Sequence, residues 1–245
     1  MRFEKPTGLE IKEEFSPEKI SEEVKNWQEM LDISHSQKKE RNEKRIEISH
    51  QIIKYLLSAD EKSAQRFWKS LEPLFKEKAH FREFKNGILA EVAFMRLLKE
   101  LRLEEAYPAP VKLDANYGID FIGKENGRIW EIQVKGKNLS DLEGLMRELR
   151  LKPEDLIISL SIRSLKTENL IRKLTGKPLT DIIKKMKIGG EKIKEEYYKN
   201  KREKILPLFV ILPSGKALKE NGEFSFKINK QRFIETLKRV TGVGG

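Results

Sequence analysis

The sequence predicts an α/β fold with a mixed sheet, and three observations support this prediction. Apolar residues recur at helical spacing through the first 80 residues, an alternating hairpin lies mid-chain, and two apolar runs at 156–162 and 206–212 have the length of buried strands. The middle of the chain follows the order helix, three strands, helix, strand. This αβββαβ core would place helices on both faces of the sheet.

Three helices are predicted in an N-terminal helical region, residues 1–80. Ser16 and Pro17 form the pattern of an N-cap followed by proline at the first helical position. Two further helices are expected at about 38–57 and 59–71. This region contains no catalytic constellation, so we expect it to act as helical support, with substrate contacts or dimer packing as alternatives.

The core is predicted to occupy residues 81–163. In chain order we expect a helix at about 86–103, a strand near 106–113, the hairpin, a helix at 140–150 and a buried strand at 156–162. The last region, 164–245, is predicted to hold a basic helical insertion up to about 204, followed by elements that complete the core. These are a strand at 206–212, an edge strand at 224–228 and a helix at 231–240. The pair Gly189-Gly190 is expected to interrupt the inserted helices.

Two segments of the hairpin bring three functional side chains to one face. Asn126-Gly127 between alternating segments is the strongest short-range hairpin signal. If these two residues form the loop, Asp120 faces Gln133 with Cβ atoms roughly 5 Å apart. Lys135 follows on the same face, so a carboxylate, an amide oxygen and an ammonium converge in a pattern that suits a divalent ion. The alternative is a solvated polar face on an antiparallel hairpin. The opposite face would enter a core through Trp130, Ile132 and Val134.

Glu91 is predicted to join this site from the preceding helix. It is the only ionisable residue between Gly87 and Met95, where apolar residues cover most of the helix circumference. A helix that is apolar nearly all round is buried, and a buried carboxylate is costly unless it is paired or binds a metal ion. The alternative is a structural ion pair with Lys135 or Arg128.

Two other acidic residues near the hairpin are given lesser roles. Glu131 shares a strand face with Gln133, so it is either an extra ligand or base or, as expected more often, a solvated strand glutamate. Asp114 lies six residues before Asp120 and is expected to be a turn residue.

The motif resembles the active site of the PD-(D/E)xK nuclease superfamily, which includes many restriction endonucleases and Holliday-junction resolvases. In that pattern an Asp ends one strand and a (D/E/Q)-x-K triplet follows on the next, and here these are Asp120 and Gln133-Val134-Lys135. A helix before the strands often adds a glutamate, which would be Glu91. The resemblance covers about residues 84–162. Gln133 stands where many members carry an acid.

The resemblance implies a restriction-endonuclease-like core and a DNA endonuclease that depends on Mg²⁺, with Mn²⁺ as a possible substitute. It implies Asp120, Gln133 and Glu91 as metal ligands, and the same three residues with Lys135 as the catalytic set. About 80 residues flank the core on each side, which favours a restriction enzyme of type II-like kind. Such an enzyme is expected to be a homodimer, because cutting both strands symmetrically calls for two sites.

The positive charge of the chain predicts contact with a phosphate backbone. The net charge is +11, and all of the excess lies in residues 164–245, which hold 20 basic and 9 acidic side chains. Double-stranded DNA is therefore the expected partner, and RNA is not excluded. The alternative is a solubilising surface. The predicted DNA-binding residues are Arg172, Lys173, Lys184, Lys185, Lys187, Lys201 and Arg202.

Composition excludes several other chemistries. There is no cysteine, and the three histidines all lie in the first 80 residues, so thiolate metal sites, disulfides, His-based zinc sites and Ser-His-Asp triads are not expected. The longest apolar run, 208–212, is too short to cross a membrane. With no apolar signal region at Met1, a soluble cytoplasmic protein is expected, and heavy Lys and Glu use fits a thermophile.

Other functions remain open at this stage. A Holliday-junction resolvase or repair nuclease, or a non-catalytic nucleic-acid-binding protein that retains the nuclease fold, are the nearest alternatives. The neutral Gln133 motivates the last of these. A scaffold whose basic third meets an acidic protein partner is a further possibility.

Overall fold

The structure is a computed structural model that describes residues 16–30, 38–103, 105–125, 127–160, 164–198, 204–225 and 230–242. Within these ranges the chain is mixed α/β, with helices around a five-stranded mixed sheet. None of the described helices is long and apolar enough to cross a membrane. The α-helices are α1 (Pro17–Met30), α2 (Lys38–Ser58), α3 (Glu61–Leu71), α4 (Lys78–Leu101), α5 (Val111–Tyr117), α6 (Leu139–Glu148), α7 (Leu165–Thr175), α8 (Leu179–Ile193) and α9 (Lys230–Thr241).

The sheet places the hairpin at its centre. Its strands are β1 (Glu105–Pro108), β2 (Phe121–Glu125), β3 (Arg128–Asn138), β4 (Ile157–Ser159) and β5 (Lys204–Ser214), in the spatial order β1-β2-β3-β5-β4. Of these strands, β3 and β5 pair in parallel and the other neighbours are antiparallel. The register of β2 and β3 is the predicted one, since Phe121 pairs with Ile132 and Ile122 with Glu131. The predicted loop residue Asn126 lies outside the described residues.

The N-terminal helices form where the sequence predicts them and share one core with the sheet. The α1 helix begins at Pro17, and the Lys19 N–H donates to the Ser16 hydroxyl over 3.2 Å. Buried apolar residues form one continuous cluster from Ile20 on α1 to Leu237 on α9. The N-terminal region therefore packs directly on the elements that carry the hairpin.

Different helices cover the two faces of the hairpin. Trp130, Ile132 and Val134 are buried in the main core, as predicted. The Phe94 ring of α4 lies 5.4 Å from that of Phe121 on the same face. On the other face α8 passes close to β3, where Gly190 leaves no room for a side chain beside Glu131. The strand that carries Gln133 and Lys135 is thus sandwiched between two helices.

The region around residues 106–120 differs from the prediction. The strand expected at 106–113 ends at Pro108, and α5 follows from Val111. Pro110 precedes the first helical residue, and Gly118, with φ 67°, ends the helix in the left-handed conformation that glycine adopts most readily. The first hairpin strand is shorter for the same reason, because Tyr117 belongs to α5 and β2 begins only at Phe121.

Three predictions for residues 156–245 were inaccurate. Within the described part of the strand predicted at 156–162, only Ile157–Ser159 forms a strand, the edge strand β4, and residues 161 and 162 lie outside the described ranges. The parallel partner of β3 is β5. The predicted edge strand at 224–228 contributes a single bridge between Leu218 and Phe224, and residues 226–229 lie outside the described ranges. Gly189-Gly190 does not interrupt a helix, since α8 runs through it. Both glycines are buried, and they allow close packing instead of a bend.

Candidate active site

A polar cleft of about 510 Å³ opens beside the point where β2 begins and β3 passes α4. Its lining side chains come from α2, α4, α5, β3 and the residue preceding β2, among others. All four residues that the sequence predicted as catalytic line this one cleft: Glu91, Asp120, Gln133 and Lys135.

Asp120 is fixed by the strand opposite it. Its backbone N–H donates to the Ile132 carbonyl over 2.9 Å. Its carboxylate oxygen Oδ2 accepts a 2.6 Å hydrogen bond from the Val134 N–H. The Asp120 carboxylate accepts the hydrogen bond that a backbone carbonyl of a paired strand would otherwise accept from the Val134 N–H, because β2 begins only after residue 120. The side chain is only 7% exposed, so its position is set by backbone geometry and not by solvent.

Close backbone approaches bring β3 to the cleft wall. A Cβ atom at Gly136 would lie 2.8 Å from the Asn86 carbonyl oxygen of α4, and one at Gly118 would lie 2.8 Å from Nε2 of Gln133. The β3 strand can therefore pass close to α4 at Asn86, five residues before Glu91. The end of α5 at Gly118 lies directly beside Gln133. Lys135, half-buried on the same strand face, makes no hydrogen bond or salt bridge with a described residue.

Glu91 lies among like charges, and desolvation and the charges of Asp120 and Asp114 raise its pKa well above the usual range. The charges of Arg45 and Lys135 act in the opposite direction. The predicted alternative, a structural ion pair with Lys135 or Arg128, is absent from the described residues, where Glu91 has no salt bridge. The carboxylate is thus desolvated without a direct partner.

Asp114 is a cleft residue that the sequence interpretation missed. It lies on α5 and lines the cleft instead of serving as a turn residue. Burial and the charge of Asp120 raise the pKa of Asp114 to about 8. Pro110 and Gly118, which bracket one short helix in the sequence, were the signal that could have placed Asp114 on a helix.

Arg45 is the second missed residue. With Asn42 and Ser49 it brings α2 to the cleft, so the N-terminal helical region contributes to the site and is not only a support. Its charge lowers the pKa values of the cleft acids, although less than burial raises them. Helical spacing alone does not indicate which polar side chain of α2 turns towards the sheet.

Glu131 fits neither predicted role. It does not line the cleft and is not solvated: it is completely buried under α8, and its two carboxylate oxygens have no hydrogen-bond partner among the described residues. Burial, followed by the charge of Glu191, raises its pKa to about 8. Glu131 is therefore largely protonated at neutral pH and belongs to the packing of α8 on the sheet.

The predicted DNA-binding residues fall into four groups. Lys184 and Lys185 are exposed on α8 and line cavities that Gln133 and Lys135 also line. Lys187 is exposed on α8 away from these cavities. By contrast, Arg172 pairs with Glu168 at 3.0 Å and Lys173 with Glu148, and neither lines the cleft. Lys201 and Arg202 lie outside the described residues.

The chemistry of the donors fits a hard divalent ion. The cleft presents carboxylate and amide oxygens, which Mg²⁺ prefers, and burial raises the pKa values of these acids more than the charges of Arg45 and Lys135 lower them. In the described part of the chain, no group of three or more His, Cys, Asp or Glu side chains forms a metal site by itself. An ion here would therefore need the Gln133 oxygen and water as additional ligands.

Comparison with known proteins gives no independent assignment: no protein-family model, curated protein or solved structure matches this chain. The functional conclusion therefore depends on the chemistry of the cleft.

Proposed function

We propose that this protein is a Mg²⁺-dependent endonuclease that hydrolyses phosphodiester bonds in DNA. The observation that carries the proposal is one cleft lined by three carboxylates, an amide oxygen and a lysine. A structural polar face would not need this arrangement, since repulsion between desolvated carboxylates destabilises the folded state unless a cation offsets it.

Each side chain has a role in this proposal. Asp120 would hold the ion, with the Gln133 oxygen and water completing its coordination, and Glu91 would hold a water ligand of that ion or position Lys135. Bound there, Mg²⁺ would neutralise the scissile phosphate and make a water molecule more acidic. Mn²⁺ has the same preference for oxygen ligands.

Lys135 is proposed to act on the reacting phosphate. Its ammonium group has no ion-pair partner among the described residues, so it is available to orient the attacking water or to stabilise the negative charge that develops on the phosphate oxygens. Water adds to phosphorus, one P–O ester bond breaks, and the products are a phosphate monoester and a hydroxyl. A bound cation would favour the ionised form of Asp114, whose negative charge would then replace the one that the neutral Gln133 lacks.

The test is cleavage of a plasmid of known sequence by the purified protein, with Mg²⁺ and with EDTA. We expect Asp120→Asn and Lys135→Ala each to lower Mg²⁺-dependent cleavage by about 100-fold or more. Glu143→Gln, which removes an exposed charge on α6 outside the cleft, is the control and should cleave at the wild-type rate. Cleavage that survives both cleft substitutions would exclude this site.

The products of the same digestion separate the subclasses. Discrete fragments would support the restriction-type homodimer that the flanking regions favour, and its dimeric state can be measured by analytical ultracentrifugation. A smear, or cleavage of branched DNA only, would indicate a repair nuclease or a resolvase. Salt-sensitive DNA binding without cleavage would favour the non-catalytic alternative.

A further inference from the structure

A second depression in the surface is lined by positive charge. This basic groove, about 770 Å³ in volume, lies between the start of α2 and the segment that connects α7 to α8. None of the described residues that line it is acidic. Its cations come from segments far apart in sequence: Lys38, Lys39, Arg41, Arg45, Lys177 and Lys185.

The basic groove opens into the active-site cleft. Asn42, Arg45, Ala115 and Lys185 line both. The cations of the groove thus lie next to the carboxylates of the cleft. A nuclease needs this arrangement, because cations must hold the nucleic-acid backbone while one phosphate is presented to the metal ligands.

Internal pairing does not explain several of the cations in the groove. Lys38, Lys177 and Lys185 are exposed and make no salt bridge with a described residue. Lys39 is 3.9 Å from Glu43, with its side chain 74% exposed, which is a weak surface pair. Lys38 and Lys39 also occupy the first turn of α2, where the helix dipole disfavours positive charge. An anionic ligand would offset the repulsion among these cations. It would also offset the unfavourable interaction of Lys38 and Lys39 with the helix dipole.

We propose that the basic groove binds the sugar-phosphate backbone of DNA and leads it into the active-site cleft. The inference deepens the proposed nuclease function and rests on it. It makes the N-terminal α2 one wall of the DNA-binding surface and α8 with its preceding turn the other. Arg172 and Lys173, by contrast, lie outside the groove, where they face Glu168 and Glu148, and contribute little to binding.

The test compares two double variants that remove the same charge. Lys38→Ala/Lys177→Ala takes one cation from each wall, and neither residue lines the active-site cleft. Arg172→Ala/Lys173→Ala is the matched control. Binding of a fluorescent DNA duplex is measured by anisotropy in EDTA over a range of salt concentrations, and circular dichroism verifies that both variants are folded.

We expect the groove variant to bind DNA about tenfold more weakly at about 0.1 M salt, and the slope of log K against log salt to fall by about 2. The control should stay within about twofold of the wild type. Equal binding by the wild type and the groove variant, or an equal loss in the control, would overturn the inference.

Cleavage assays separate this inference from the proposed function. If both are correct, the groove variant requires more DNA for half-maximal cleavage but reaches the wild-type rate at saturation. Wild-type cleavage at every DNA concentration would contradict the groove while leaving the nuclease intact. If the wild type binds DNA through the groove but never cleaves it, the nuclease proposal fails. The inference that the groove leads DNA to a reaction centre then fails as well, because it rests on the nuclease function.

Discussion

At the scale of single residues, the cleft carries an electrostatic cost in the folded state. Asp120 is held by a backbone hydrogen bond, yet burial still raises its pKa. Asp114 and Glu91 add charge to a site where Arg45 and Lys135 compensate only in part. Stability and function therefore make opposite demands on the same side chains.

A substitution at Asp114 should test this conflict between stability and function. Asp114→Asn removes a buried carboxyl group that the folded state keeps protonated near neutral pH at a cost in stability, so we expect the free energy of unfolding in EDTA to rise by about 1 kcal/mol. Mg²⁺-dependent cleavage should fall, by about tenfold or more. Urea denaturation and the plasmid assay measure the two effects, and Glu143→Gln, an exposed change on α6, should alter neither. A variant that is less stable but fully active would contradict the prediction.

Glu131 predicts how stability depends on pH. Its pKa is raised from 4.5 to about 8 in the folded state. The folded state therefore holds a proton that the unfolded chain has released, and stability falls as pH rises from about 4.5 to 8, by up to about 1.4 kcal/mol per pH unit. Glu131→Gln cannot ionise, so its free energy of unfolding should lose the contribution of this one group and fall less steeply over this interval, while the cleft acids still contribute.

Urea denaturation at several pH values in EDTA measures this difference. The exposed Glu143→Gln variant is the control and should follow the wild-type curve. Parallel curves for the wild type and Glu131→Gln would show that Glu131 is not protonated in the folded protein.

At the scale of secondary-structure elements, the helix that covers β3 depends on a missing side chain. A Cβ atom at Gly190 would lie 1.7 Å from the Glu131 carboxylate and 2.9 Å from Ile205. The sequence interpretation treated the glycine pair as a break because glycine weakens helices. Which surface α8 packs on could not be known from local sequence, so the close approach was missed.

Gly190→Ala tests this packing. Alanine normally stabilises a helix relative to glycine by about 0.5–1 kcal/mol. Here we expect the clash to dominate and the variant to lose about 1–3 kcal/mol of stability. A Cβ atom at Gly144 of α6 would meet no heavy atom within 4 Å, so Gly144→Ala is the control and should be neutral or stabilising. Thermal unfolding measures both, and equal effects would contradict the packing.

At the scale of the whole molecule, local sequence patterns predicted the features that depend on residues close together in the chain. The register of the hairpin followed from Asn126-Gly127, and the convergence of Asp120 with Gln133 followed from that register. Asp114 and Arg45 were missed because their positions depend on how α5 and α2 pack against the sheet. The same limit applies to β5, since no local signal indicates which distant strand pairs with β3.

The position of the positive charge on the surface also depends on tertiary packing. The excess lies in the last third of the sequence, yet the basic groove takes four of its cations from α2, in a region with equal numbers of basic and acidic residues. Net charge along the chain therefore indicated a polyanionic partner but not the surface that would meet it. Only tertiary packing brings residues 38 and 177 to one groove.

The parallel pairing of β3 with β5 has a consequence for synthesis of the chain. Ser214, the last residue of β5, lines the active-site cleft together with Asn42 of α2. A nascent chain must therefore be translated through the end of β5 before the lining of the cleft can be complete. Under the proposed nuclease function, the chain on the ribosome would be unable to cut DNA until then, without any separate inhibitor.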